Sequence, residues 1–191
     1  MVRECDVLLT QCLSYLSATD PSWHSMLSKA DARAPTIWRD WLFDSGSLTA
    51  RLLEASDGDL RVRVLRQRLE VPKFSERQRL SLGERRRALV REVVLYGGGQ
   101  PWIYARSILP LTTLTGRLRK LRQLSNQPLG ELLFNDPSMR REPVQFACFG
   151  SVSSGDVAIW GRRSVFTLDN KPLLVAEVFL PDFSPKRKQG R

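Results

Sequence analysis

The segment ALVREVVLYGGGQPWIYARSILP, residues 88–110, reads as a β-hairpin. Val90 to Tyr96 is an apolar, β-branched run, Gly97-Gly98-Gly99-Gln100-Pro101 is a turn, and Trp102 to Leu109 is a second run. Two such runs across a short glycine turn predict antiparallel strands. Three glycines could also cradle a phosphate, but no Lys-Ser/Thr follows them and a strand, not a helix, comes next. Within the first strand Arg91 shares a face with Val93 and Leu95. Glu92 shares the other with Val90, Val94 and Tyr96. Alternation alone does not sort these two charges. One of them points toward apolar neighbours and needs a partner.

A second hairpin lies near the C-terminus. Trp160 to Leu168 leads through Asp169-Asn170-Lys171-Pro172 into Leu173 to Leu180. This last strand is almost wholly apolar, which predicts a central strand covered on both faces. Glu177 is its only ionisable group. An acid there is either a buried ion pair, with Arg162 or Arg163, or a binding or catalytic carboxylate.

The remaining segments fill in around these hairpins. Leu60 to Val71 alternates, with Val62 and Val64 on one side and Arg61 and Arg63 on the other, as a strand with one wet face does. Val2 to Ala18 carries a helical stripe that includes Cys5 and Cys12. Trp23 to Leu27 and Ile37 to Phe43 are short apolar pieces expected to form helical turns, with Trp23, Trp38 and Trp41 in the core. Ser47 is a good N-cap for a helix from Leu48 to about Ala55. Pro72 to Arg87 reads as a connection with one short helical turn. Thr115-Gly116 starts a helix through Leu124, with Leu118, Leu121 and Leu124 on one stripe. Pro128 suits the first turn of a helix from Leu129 to about Phe134. Pro143 to Phe149 is a candidate strand, and Gly150 to Gly155 a small flexible loop. Antiparallel hairpins without βαβ units predict an α+β fold with a single antiparallel β-sheet. One domain over residues 1–183 and a basic, disordered tail at 184–191 are expected.

Composition narrows the function classes. The chain of 191 residues carries 30 Lys plus Arg against 20 Asp plus Glu, a net charge of +10. No 18-residue apolar run exists and the N-terminus lacks a secretory pattern, so a cytoplasmic setting is expected. The three cysteines form no CxxC and cannot all pair, which argues against a disulfide framework. His24 is the single histidine, too few for a zinc site of the usual kind. It lies in a Pro21-Ser22-Trp23 context, and the sequence carries no nucleophile-elbow motif. Eleven Lys/Arg face three Glu between Arg61 and Arg91. Nucleic-acid binding is one reading of that excess, but no helix-turn-helix, zinc-finger or RNP motif accompanies it. A solvated face is another. A small polyanionic substrate is a third, since arginine is the best bidentate partner of a carboxylate.

Four segments together resemble the chorismate pyruvate-lyase family. They are Leu48-Thr49-Ala50-Arg51 after Ser47; Val90-Arg91-Glu92-Val93 through Gly99-Gln100-Pro101-Trp102; Gln127-Pro128-Leu129-Gly130 through Leu133-Phe134; and Trp160-Gly161-Arg162-Arg163-Ser164 through Lys171-Pro172-Leu173-Leu174, Glu177 and Phe179-Leu180-Pro181. The similarity is dense from about Ala88 to Pro181 and thinner from Ile37 to Ala55. Leu48 stands where the family often has Met.

The resemblance implies that chorismate loses its enolpyruvyl group as pyruvate and leaves 4-hydroxybenzoate for ubiquinone synthesis. It implies no metal and no organic cofactor, and helical flaps that close over an internal ligand. The family's ligand-binding positions fall on Leu48, Arg91, Leu129 and Glu177, with Arg91 and Glu177 as the catalytic pair. Arg91 would hold the ring carboxylate, Leu48 and Leu129 would act through backbone N–H groups, and Glu177 would meet the 4-oxygen end. Glu177 could move a proton or only polarise that end, and the elimination could be concerted within the substrate. A monomer without specific nucleic-acid binding is expected, with at most weak membrane-surface contact by the tail. The alternatives are a sensing domain of the same fold for an aromatic carboxylate and a basic nucleic-acid-binding module. About 45 residues precede the first matched segment, too few for the winged helix that accompanies such sensors.

Overall fold

Gly98 and Gly99 take φ of 57° and 78°, left-handed values that a two-residue hairpin turn requires. They place Gly97 opposite Gln100, and a bulge at Trp102 then shifts the register by one, so that Leu95 pairs with Ile103. The computed structural model describes residues 2–25, 36–150 and 158–184. In chain order its elements are α1 (Val2–Ala18), α2 (Thr36–Leu42), α3 (Leu48–Ala55), β1 (Leu60–Glu70), α4 (Phe74–Arg79), β2 (Ala88–Gly97), β3 (Gln100–Pro110), a 3-10 helix (Gly116–Gln123), α5 (Leu129–Phe134), β4 (Arg140–Arg141), β5 (Gln145–Gly150), β6 (Ile159–Leu168) and β7 (Lys171–Phe179). Among the described residues the strands form one seven-stranded sheet in the order β1-β2-β3-β7-β6-β4, with β5 also on β6. Every pairing is antiparallel, and the fold is α+β.

Helices cover both faces. Over the first face α2, α3, the 3-10 helix and α5 pack on Val93, Leu95, Ile103, Leu109, Leu173 and Phe179. Over the second face Cys12 and Leu16 of α1 pack on Val94, Tyr104 and Val178. Burial pushes the Cys12 thiol up to about 11, with help from the Asp182 charge, so this cysteine is inert core. Strand β7 is central, as its apolar sequence predicts. Leu173, Leu174, Ala176, Val178 and Phe179 are buried. Val175 and Glu177 are less so, and both face the same side.

The structure alters several expectations. Leu118, Leu121 and Leu124 do share a buried stripe, but on a 3-10 helix. A spacing of three residues per turn is the 3-10 period, and leucines exactly three apart suit it better than the α period. Trp23 to Ser25 is not helical: His24 makes an isolated antiparallel bridge with Phe146, and its side chain is exposed. Residues 26 and 27 of that piece lie outside the described residues, as do the side chain of Cys5, the loop from 151 to 157 and the tail from 185. Strand β1 changes face partway. Val64 pairs with Val93 and Arg66 with Glu92, leaving Leu65 as a bulge. Val62 and Val64 therefore pack toward the first face, while Arg66 reaches Glu92 on the second.

Candidate functional site

A cavity lies between the first face of the sheet and the flaps that cover it. Its floor is Arg91, Val93 and Leu95 of β2, Ala105 and Ser107 of β3, and Val175 and Glu177 of β7. Its lid is Leu48 and Thr49 of α3 with Pro128, Leu129, Gly130, Leu133 and Phe134 around α5. The flaps close tightly on the sheet and leave a free volume of about 40 Å³. All four residues singled out in the sequence, Leu48, Arg91, Leu129 and Glu177, line this one cavity.

Arg91 is 2% exposed. Its Nη2 donates to the backbone oxygens of Ser125 at 2.6 Å and Gln127 at 3.1 Å, just ahead of α5. Its Nε is buried and has no partner among the described residues. Among the described residues no carboxylate pairs with this guanidinium, and burial pushes its pKa down. A buried cation with an unsatisfied donor is expensive. An anionic group entering the cavity would relieve both deficits.

Glu177 resolves the ambiguity left by its sequence. It is both paired and accessible to the cavity. Arg162 Nε donates to its Oε2 at 2.8 Å, and the Glu177 side chain remains 21% exposed while Arg162 is 1% exposed. Arg163 points to the opposite face, where it donates to Gln145 and Ser75 and lies over the Trp23 ring. The two proposed polar groups thus stand on one face, with Ala105 and Ser107 between their strands.

Local sequence seats each flap. Ser47 Oγ accepts from Ala50 N–H at 3.3 Å and caps α3, so Leu48 opens the helix. Pro128 is the N-cap of α5 rather than a residue of its first turn, and Leu129 follows it. The flaps meet where Thr49 faces Gly130: a Cβ on Gly130 would fall 2.5 Å from Thr49 Oγ1. Ahead of α3 the chain braces itself. Arg51 donates to Asp40 O and to Asp44 Oδ2 and stacks over Trp41. Burial opposes the Asp44 charge, but the Gly46 N–H and Arg51 outweigh it and hold this carboxyl below its ordinary value. Arg141 then joins the corner to the sheet edge through Ser45 O and Ser164 Oγ.

A family model described as chorismate lyase matches residues 23–188. The chain belongs to the chorismate lyase family. A protein of Methylococcus capsulatus named "Probable chorismate pyruvate-lyase" is 45% identical over 152 residues, covering 74% of this chain and 93% of its own length. A protein of the same name from Marinobacter nauticus is 37% identical over 177 residues, 90% of this chain and 94% of its own. Among solved structures, a GntR-family transcriptional regulator from Enterococcus faecalis V583 overlaps 69% of this chain and 98% of its own at 15% identity, with a TM-score of 0.44. Among the described residues no three His, Cys, Asp or Glu side chains gather as metal ligands, and no helix is long and apolar enough to cross a membrane.

Sequence alone does not single out Arg141, and it offers Arg162 only as one of two partners for Glu177. The signal for Arg162 was the two-residue turn Asp169-Asn170, both at positive φ, which pairs Leu168 with Lys171 and, counting back, Arg162 with Glu177. Arg141 sits on a two-residue strand that has no sequence signature.

Proposed function

We propose that the chain eliminates pyruvate from chorismate to give 4-hydroxybenzoate, the aromatic precursor for ubiquinone synthesis. The observation that carries this reading is Arg91, a buried cation with an unpaired Nε at the floor of a closed, largely apolar cavity. A ring carboxylate supplies the missing acceptor and the missing charge. The apolar lining of Val93, Leu95, Leu133 and Phe134 suits the ring itself. Leu48 and Leu129 complete the enclosure, their backbone N–H groups available to the ligand's oxygens.

The chemistry asks little of the protein beyond orientation. The ether bond from the ring to the enolpyruvyl oxygen breaks, the neighbouring ring carbon gives up its proton, and the electron pair of that C–H bond completes the aromatic ring. The enolpyruvyl fragment takes up a proton and becomes pyruvate. Glu177 stands at the far end of the cavity floor from Arg91 and is placed to accept a hydrogen bond from the hydroxyl that becomes phenolic. We assign it polarisation of that end and, in the elimination, acceptance of the ring proton. We further read the protein as a cytoplasmic monomer that acts on a free small molecule without specific nucleic-acid contact, its basic tail adding at most weak attraction to anionic lipid.

The direct test is incubation of the purified chain with chorismate in EDTA-containing buffer. Equal yields of 4-hydroxybenzoate and pyruvate above a no-protein blank are expected. Absence of both overturns the assignment. Glu177→Gln is expected to lower the single-turnover rate by about 10²-fold, while 4-hydroxybenzoate binding changes little, because an amide still accepts from the phenol. Full turnover in that variant would exclude proton transfer through Glu177. At the flap contact, Gly130→Ala forces a Cβ into Thr49. Overpacking of this kind costs about 1–3 kcal/mol, so 4-hydroxybenzoate should dissociate about 10-fold faster in stopped-flow fluorescence. An unchanged off-rate would mean that the flaps do not part at this contact.

A further inference from the structure

Arg162 does not line the cavity, yet one guanidinium bridges two parts of the site. Its Nε donates to Glu177 Oε2 at 2.8 Å, and its Nη1 donates at 2.7 Å to both Trp41 O and Asp44 O. Trp41 lies in the last turn of α2 and Asp44 in the corner that leads to Ser47 and the ligand-facing Leu48. That corner is braced within itself by Arg51, which binds Asp40 O and Asp44 and stacks over Trp41. It therefore moves as a unit. Its polar ties to the sheet include Arg141 at the edge and Arg162 at the centre.

We propose that Arg162 is a positioning residue that couples seating of the α2–α3 flap to the orientation of Glu177. This rests on the reading of Glu177 as the carboxylate that meets substrate. With the flap down, two carbonyls and one carboxylate fix a planar, fully buried guanidinium from three sides. Glu177 is then held at one angle in the cavity floor. When the flap lifts to admit or release ligand, the carbonyls of Trp41 and Asp44 leave, Arg162 loses two of its acceptors, and Glu177 loses its fixed orientation. Chemistry is thereby confined to the closed, water-excluding state. A lysine cannot reproduce the arrangement, because a single ammonium lacks the fork that spans both partners.

The test uses the full chain with Arg162→Lys, Glu177→Gln and the double variant. Three readouts are followed: single-turnover formation of 4-hydroxybenzoate, its dissociation rate, and hydrogen exchange of backbone amides in residues 38–48. Arg162→Lys should slow the single turnover by about 10–100-fold, speed product dissociation and raise exchange in the flap. In the Glu177→Gln background the same substitution should leave the chemical rate within about two-fold, because its effect passes through the carboxylate. Coupling is reciprocal, so Glu177→Gln alone should also raise exchange at 38–48. This arm needs neither turnover nor a folded Arg162 variant. Unchanged exchange in Glu177→Gln, or a rate loss from Arg162→Lys that multiplies with that of Glu177→Gln, overturns the coupling. A parent chain that makes no 4-hydroxybenzoate overturns the function reading instead, and the exchange arm still decides the coupling.

Discussion

Replacing Arg91 with methionine is expected to lower kcat/KM for chorismate by about 10²–10³-fold, the loss typical of removing one partner of a desolvated, charge-assisted pair. The same variant should keep the stability of the ligand-free protein within about 1 kcal/mol of the parent. The two effects separate because Arg91 is unbalanced before ligand arrives. It is buried, its Nε has no partner among the described residues, and the carbonyls of Ser125 and Gln127 accept from its Nη2. Methionine fills similar space and removes the desolvated charge, which offsets the two lost hydrogen bonds. Arg91→Lys restores charge but not the fork, so it should recover little activity. The measurements are steady-state kinetics, 4-hydroxybenzoate binding and urea unfolding. Severe destabilisation by methionine would make Arg91 a structural strut; retained kcat/KM would remove it from the site.

Much of this site was legible because β-structure has a period of two. Arg91, Val93 and Leu95 were placed on one face from sequence, and that face is the cavity floor. The dilemma of Arg91 against Glu92 dissolved only with the neighbours in place. Both are buried, on opposite faces, and each finds a different solution. Glu92 stands opposite Arg106 only because a bulge at Trp102 shifts the β2–β3 register; counting back from the turn alone would set Ala105 there. Arg91 has Ser107 opposite and must reach loop carbonyls about 35 residues away, which no local pattern announces. The cap of α3 was readable for the same reason that hairpins were: Ser47 acts on the Ala50 N–H three residues away. The bulge at Leu65 has a trace in the sequence, since the apolar/polar alternation breaks at Val64-Leu65, but the demand of buried Glu92 for Arg66 is what shows why the strand turns over there. The Arg-rich stretch from Arg61 to Arg91 consequently divides three ways. Arg91 belongs to the cavity, Arg66 and Lys73 to the second face, and Arg61, Arg63, Arg85 and Arg86 to solvent.

The second face carries the largest expected effect on stability. Arg106, 4% exposed, donates to both oxygens of Glu76 and to Glu92. Glu76 also accepts from the Lys73 N–H that opens α4, and Glu92 accepts from Arg66 and from Ser17 of α1. One arginine thus fastens two helices to the sheet. Arg106→Met should cost about 3–5 kcal/mol in urea unfolding, because it leaves two buried carboxylates short of a partner. Neutralising one acid as well, in Arg106→Met/Glu92→Gln, should return part of that loss, whereas additive losses would mean that the charges are not coupled. The pH dependence carries a matching sign. Burial opposes the Glu92 charge, but Arg66 and Arg106 prevail and hold its carboxyl at about 2. A carboxyl whose pKa is lower in the folded state contributes stability in full above its unfolded value, about 4.3, and loses it as pH falls toward 2. The parent should therefore weaken across that window. Arg106→Met, in which the carboxyl is less depressed, should start less stable and fall less steeply. Parallel curves for the two proteins would place the acid sensitivity elsewhere.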